Sequence, residues 1–94
     1  MNEIDRQRDV LEQKAQLLKA ISHPVRLCIV KGLMEEQGRN VSKMQSCLAI
    51  PQSTISQHLS KLKAAGIVEG VRNGIEVQYY VVDEDVKKII AALF

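Results

Sequence analysis

Residues 51–65, Pro-Gln-Ser-Thr-Ile-Ser-Gln-His-Leu-Ser-Lys-Leu-Lys-Ala-Ala, admit few structures. Pro51 suits the first turn of a helix, where its missing N–H is no loss and its fixed φ is already helical. Ile55, Leu59 and Leu62 then recur at i, i+4 and i+7, one narrow apolar stripe. At about 100° per residue, Ser53, Ser56, Gln57 and Ser60 gather opposite that stripe, with Thr54 and Lys61 on one flank. Gly66 follows and can take the left-handed conformation that ends a helix. The outer face therefore carries short hydroxyls and amides instead of the Glu/Lys mixture of an ordinary solvated helix. Such groups donate and accept at short range, as base edges and phosphate oxygens require. The stretch is expected to be a helix that lies against double-stranded DNA. The plainer alternative is a surface helix that happens to be rich in Ser and Gln, and the flanking segments weigh between the two.

On the C-terminal side, Ile67 to Arg72 and Ile75 to Val81 read as two strands around Asn73-Gly74, the strongest short hairpin signal because both turn positions need φ > 0. With those two residues as the turn, Arg72 falls opposite Ile75, Gly70 opposite Val77 and Val68 opposite Tyr79. One face is then almost wholly apolar and the other mainly polar, as a half-buried antiparallel ribbon requires. Arg72 and Asn73 project at the tip, where they could reach a minor groove or a phosphate.

On the N-terminal side, His23 caps a helix that starts at Pro24 and runs to about Glu35, with Leu27, Val30, Leu33 and Met34 inward. Val41 reads as a short extended residue. Ser42 and Gln45 are spaced as a capping box, which predicts a short helix over 43–49 with Met44 and Leu48 on one side. Ala49-Ile50 leaves only a tight turn before Pro51. Two helices so joined, the second polar on its outer side, have the outline of a helix-turn-helix over about 43–65.

Both ends read as amphipathic helices. Residues 3–21 lack Pro and Gly and place Val10, Leu11, Leu17, Leu18 and Ile21 on one broad face. In 83–94, Asp83 can cap, Glu84 and Asp85 suit the positive helix start, and Val86, Ile89, Ile90 and Leu93 form a stripe. These helices either pack within one subunit or pair across a two-fold axis. The middle helices and hairpin are expected to make one small core unaided, which favours a homodimer with Leu11, Leu18, Ile89, Ile90 and Leu93 at the interface.

Composition narrows the function classes. Ninety-four residues with 46% apolar content fit one domain, residues 1–94, and exclude a disordered chain. Thirteen Lys/Arg against eleven Asp/Glu is too mild a balance to argue nucleic acid by itself. No apolar run approaches the roughly 20 residues of a membrane span, and the polar N-terminus lacks a secretory h-region. A cytoplasmic, reducing location is the expectation, with Cys28 and Cys47 as thiols.

Leu18-Lys-Ala-Ile-Ser-His-Pro-Val-Arg-Leu27, Pro51-Gln-Ser-Thr-Ile-Ser-Gln-His-Leu59 and Arg72-Asn-Gly74 followed by Tyr79 resemble the ArsR/SmtB family of small bacterial winged-helix repressors, over roughly residues 11–90. The resemblance implies a mainly α fold with a small β-hairpin wing over about 67–81, a winged helix-turn-helix of four helices, two strands and a fifth helix, dimeric through its first and last helices. It also implies operator binding, with Gln52, Ser53, Ser56 and Gln57 at positions that touch DNA. Many members sense metals through a Cys-x-Cys pair near helix three, where Asn40 and Ser42 stand here. Others use an Asp and a His at the start of the last helix, where Asp83 and Asp85 stand. Two carboxylates without imidazoles make a poor transition-metal site, so the pattern is similar to a metal-free branch. Redox-responsive members pair a cysteine on helix two with one on the last helix, and Lys31 occupies the first of those positions.

The expected DNA-contacting residues are Gln52, Ser53, Thr54, Ser56, Gln57, Lys61, Arg72 and Asn73, on a palindromic operator. Cys28, expected near the surface of helix two, and Cys47, on helix three, offer an alternative: a thiol-based redox-responsive repressor. A third reading is a winged-helix protein-interaction module without DNA binding. His58 is expected to pack at the edge of the apolar stripe. No Ser/His/Asp set, phosphate loop, metal cluster or small-molecule site is legible, so neither an enzyme nor a cofactor is expected.

Overall fold

In the computed structural model, which describes residues 3–94 apart from the side chain of Cys47, the chain builds α1 (Glu3–Ile21), α2 (Pro24–Glu35), α3 (Val41–Leu48), α4 (Gln52–Ala64), β1 (Val68–Asn73), β2 (Glu76–Val81) and α5 (Glu84–Leu93). This is the expected order of a winged helix-turn-helix. Two helix starts follow the sequence directly. His23 Nδ1 accepts from the Val25 N–H at 3.0 Å ahead of Pro24, and Asp83 Oδ1 accepts from the Val86 N–H at 2.9 Å.

The start of α3 corrects the sequence reading. Asn40 caps it, its Oδ1 accepting from the Lys43 N–H at 2.8 Å, and Val41 is already helical. The extended residue is Arg39, whose carbonyl accepts from the Tyr79 N–H at 3.0 Å while the Gly38 N–H donates to the Tyr79 carbonyl at 2.9 Å. This bridge to β2 holds the chain extended up to Asn40, so the helix begins there and the Ser42–Gln45 box does not form. The other end of the segment turns on Ala49, left-handed at φ 56, and Pro51 is the cap of α4, not its first helical residue.

Past α4, the Gly66 N–H donates to the Lys63 carbonyl at 2.9 Å and the Ile67 N–H to the Leu62 carbonyl at 3.0 Å, with Gly66 at φ 74. These paired bonds satisfy the last carbonyls and seat Ile67 against Leu62, both fully buried. They also aim β1 back across the helix.

The hairpin keeps the expected faces but not the expected partners. Val68 pairs with Val81, Gly70 with Tyr79, Arg72 with Val77 and Asn73 with Glu76. The turn is therefore Gly74-Ile75, with Gly74 at φ 68 in the first central position, a type II′ arrangement. The slip is two residues, so inward and outward sides are preserved. Its cause lies at the other end of β2, where Arg39, Gln37 (accepting from the Val81 N–H at 3.0 Å) and Ile67 (accepting from the Val82 N–H at 2.9 Å) fix the strand. A Cβ on Gly70 would stand 2.9 Å from a Val77 methyl and 3.1 Å from the Tyr79 ring, so only glycine lets those side chains cross the ribbon there.

Ile29, Val30 and Leu33 of α2, Met44 of α3, and Ile55, Leu59 and Leu62 of α4 are buried with Ile67, Val68 and Val81. Ile29 was not foreseen as inward, whereas Leu27 and Met34 are only partly buried. The terminal helices are not spare, as the sequence suggested. Leu17 and Ile21 of α1, with Val86 and Ile90 of α5, complete the same core. What remains without support is the first half of α1. The radius of gyration is 14.5 Å, against about 12 Å for a compact chain of this length, and the longest extent is 48 Å.

Candidate nucleic-acid interface

The short link Ala49-Ile50-Pro51 holds α4 beside α3, and the stripe Ile55, Leu59 and Leu62 anchors α4 to the body. Its opposite side is open. Gln52, Ser53, Ser56, Gln57, Ser60 and Lys61 are exposed, and Thr54 is half-buried on the flank. No Asp or Glu lies on this helix, and Lys61 and Lys63 sit in its last turn. The Gln52 side-chain amide donates to the Ser42 hydroxyl at 3.2 Å, bracing the start of α4 against α3. The wing stands beside it, with Arg72, Asn73 and Gly74 exposed at the end of the ribbon and Ile75 at the very tip, 99% exposed.

A titratable cluster that sequence reasoning did not foresee lies behind α4. Arg26 Nη1 approaches His58 Nδ1 at 3.3 Å, Arg26 Nε donates to the Ala20 carbonyl, and the His58 and His23 rings lie 4.6 Å apart. Burial pushes His58 below the ordinary imidazole range, and the charges of His23, Arg26 and Lys61 push it further down. His58 packs, as expected. Its spacing from Arg26, 32 residues away, carries no pattern by which sequence could have paired them.

The expected dimer residues divide. Leu11 is 69% exposed, Leu18 52% and Leu93 60%, and Ile89 is half-buried. Ile90, expected beside them, is instead 3% exposed within the subunit's own core, because the inward side of α5 is centred on Val86 and Ile90. Lys14 reaches Asp85 at 2.6 Å and ties α1 to the start of α5. That hydrogen bond, and then the opposite charge, raises the Lys14 pKa and lowers that of Asp85.

Cys28 is an exposed free thiol on α2, and the side chain of Cys47 lies outside the described residues. Among the described residues, no group of three or more His, Cys, Asp or Glu is placed to hold a metal ion. None of their helices is long and apolar enough to cross a membrane.

A buried-stripe helix with an open polar face, preceded by a tight helix-turn and followed by an exposed hairpin, defines the class: a winged helix-turn-helix domain of the DNA-binding kind. Residues 21–71 match a protein family described as a helix-turn-helix domain. The chain is 43% identical over 83 residues to the HTH-type transcriptional repressor SmtB of Mycobacterium tuberculosis, covering 88% of this chain but only 61% of that protein. It is 40% identical over 83 residues to the transcriptional repressor PagR of Bacillus anthracis, with 88% and 83% covered. The crystal structure of PagR superposes with a TM-score of 0.86 at 38% identity, over 93% of this chain and 99% of that one. A homodimeric winged helix-turn-helix DNA-binding domain from Mycobacterium bovis, described as a possible ArsR-family regulator, superposes at 0.85 with 31% identity, over 95% and 82% of the two chains. The chain belongs to the ArsR/SmtB family of winged helix-turn-helix transcriptional regulators, on the branch that PagR represents.

Proposed function

We propose that the protein is a repressor that acts as a homodimer on an imperfectly palindromic operator, in the cytoplasm. The observation that carries this reading is the outer side of α4. It is open, free of carboxylates, and made of the hydroxyl and amide groups of Ser53, Ser56, Gln57 and Ser60. Laid in a major groove, Gln57 and Ser53 would meet base edges, while Gln52, Thr54 and Ser56 would reach bases or phosphates near the start of the helix. Lys61, Lys63 and Arg72 supply attraction to the backbone, and Asn73 beside Arg72 meets the flanking minor groove.

A two-fold pair of such helices demands half-sites about one helical turn of DNA, or a multiple of it, apart. Support for the pair comes from the apolar surface left on the terminal helices at Ile4, Val10, Leu11, Leu18 and Leu93. The homodimeric M. bovis relative adds to it. The test is a gel shift against promoter fragments and a random duplex at low and moderate salt. A retarded band that prefers one promoter and weakens steeply with salt is expected. A folded protein that retards no duplex at low salt would reject DNA binding and leave the protein-interaction module.

A further inference from the structure

At one edge of the open side of α4, its second half forms a cleft with the end of α1 and the start of α2. The cleft is lined by Gln16, Lys19 and Ala20 of α1, Arg26 of α2, and Lys61 with the two alanines that follow it. It encloses about 530 Å³, within the range of small-molecule sites. Its chemistry is one-sided. Three helices each contribute one cation, no carboxylate lines the walls, and neither Lys19 nor Lys61 is in an ion pair among the described residues. Arg26 is held in place by the Ala20 carbonyl and by His58, so one of the three charges is pre-positioned. Gathering like charges costs free energy unless an anion joins them.

We propose that this cleft binds a small phosphate-bearing anion, held by Lys19, Arg26 and Lys61 together. His58, which meets Arg26 behind the cleft, has its pKa lowered first by burial and then by the charges of His23, Arg26 and Lys61, two of which line the cleft. A guanidinium and two ammonium groups around a cleft whose remaining lining includes three alanines suit a phosphate ester, the guanidinium by paired hydrogen bonds and the ammonium groups as point charges. Because Lys61 also borders the DNA-facing side, an anion seated here competes for a charge the operator would use.

The experiment is calorimetric titration of the full chain with inorganic pyrophosphate, without DNA, so that it stands or falls apart from the operator reading. Saturable binding at one site per subunit is expected. Lys19→Ala and Lys61→Ala should each weaken it about tenfold, the loss of one charge-assisted hydrogen bond. Lys63→Ala, outside the cleft, should leave it unchanged. The His58 imidazole, followed by NMR, should titrate at higher pH when pyrophosphate is bound. Absence of saturable binding, or an equal loss in Lys63→Ala, overturns the proposal. So does a cleft that ignores pyrophosphate while Lys19→Ala lowers affinity for duplex DNA, which would make it a resting place for the DNA backbone.

Discussion

Arg26 Nη1 stands 3.3 Å from His58 Nδ1, joining the first turn of α2 to the middle of α4. A guanidinium can only donate, so Nδ1 accepts and the neutral imidazole carries its proton on Nε2. Protonating His58 would set a new charge against Arg26, Lys61 and the His23 ring. Its pKa is lowered in the folded chain, so its contribution to stability is complete above the ordinary value of 6.5 and is lost as pH falls through the lower folded-state value. The urea midpoint should therefore drop as pH is lowered from 6.5 toward that folded-state value, and this contribution should level off below it. In His58→Asn the same pH change should move the midpoint less.

Gln57 is central on the open side of α4, so Gln57→Ala should weaken operator binding by about 1–3 kcal/mol if it reads a base. Competition gel shifts give the ratio of operator to random-duplex affinity, and an unchanged ratio would remove that role.

Arg72 should behave differently. It is exposed at the base of the wing tip, and its proposed contact is with phosphate or groove without choice of sequence, so Arg72→Ala should weaken all duplexes alike. The slope of log affinity against log salt should become shallower by about 1.

Association and folding can be separated on the terminal helices. Leu11→Glu and Leu18→Glu place charges on exposed apolar positions and should yield folded monomers by sedimentation. Ile90→Ala opens the subunit's own core and should cost about 2–5 kcal/mol in denaturant unfolding, with dimerisation affected only through that loss.

Ala49 is the one described non-glycine residue with positive φ, at 56. A left-handed alanine costs roughly 1 kcal/mol, so Ala49→Gly should raise the melting temperature unless added freedom in the unfolded chain cancels the gain. A fall would show that the Ala49 methyl matters more than its backbone.

Most of the fold was legible because its signals are local. Pro24, Pro51 and Asp83 mark helix starts, Gly66 marks an end, and the aliphatic spacings of α4 and α5 mark the inward sides. The misses share one cause, contact between distant segments. Asn73-Gly74 is a valid turn taken alone, yet β2 is positioned by Arg39, Gln37 and Ile67, and the turn moves to Gly74-Ile75. Asn40 prevails over Ser42 as a cap because Arg39 is pinned to Tyr79. Nothing in sequence places Ile90 inward and Leu93 outward, since both lie on one apolar stripe and the depth of docking decides. The open side of α4 was legible because its residue types are themselves the unusual observation. The cationic cleft was not, as its three charges come from three helices.

The unsupported first half of α1 makes protein abundance a structural variable. Its early turns touch little of their own subunit, so in the proposed dimer they gain rigidity only when a second chain arrives. At high dilution they would fray, and the reading helices would lose their fixed separation. Occupancy of a two-part binding sequence would then rise with roughly the square of the number of chains in the cell, giving a threshold in place of a gradual response.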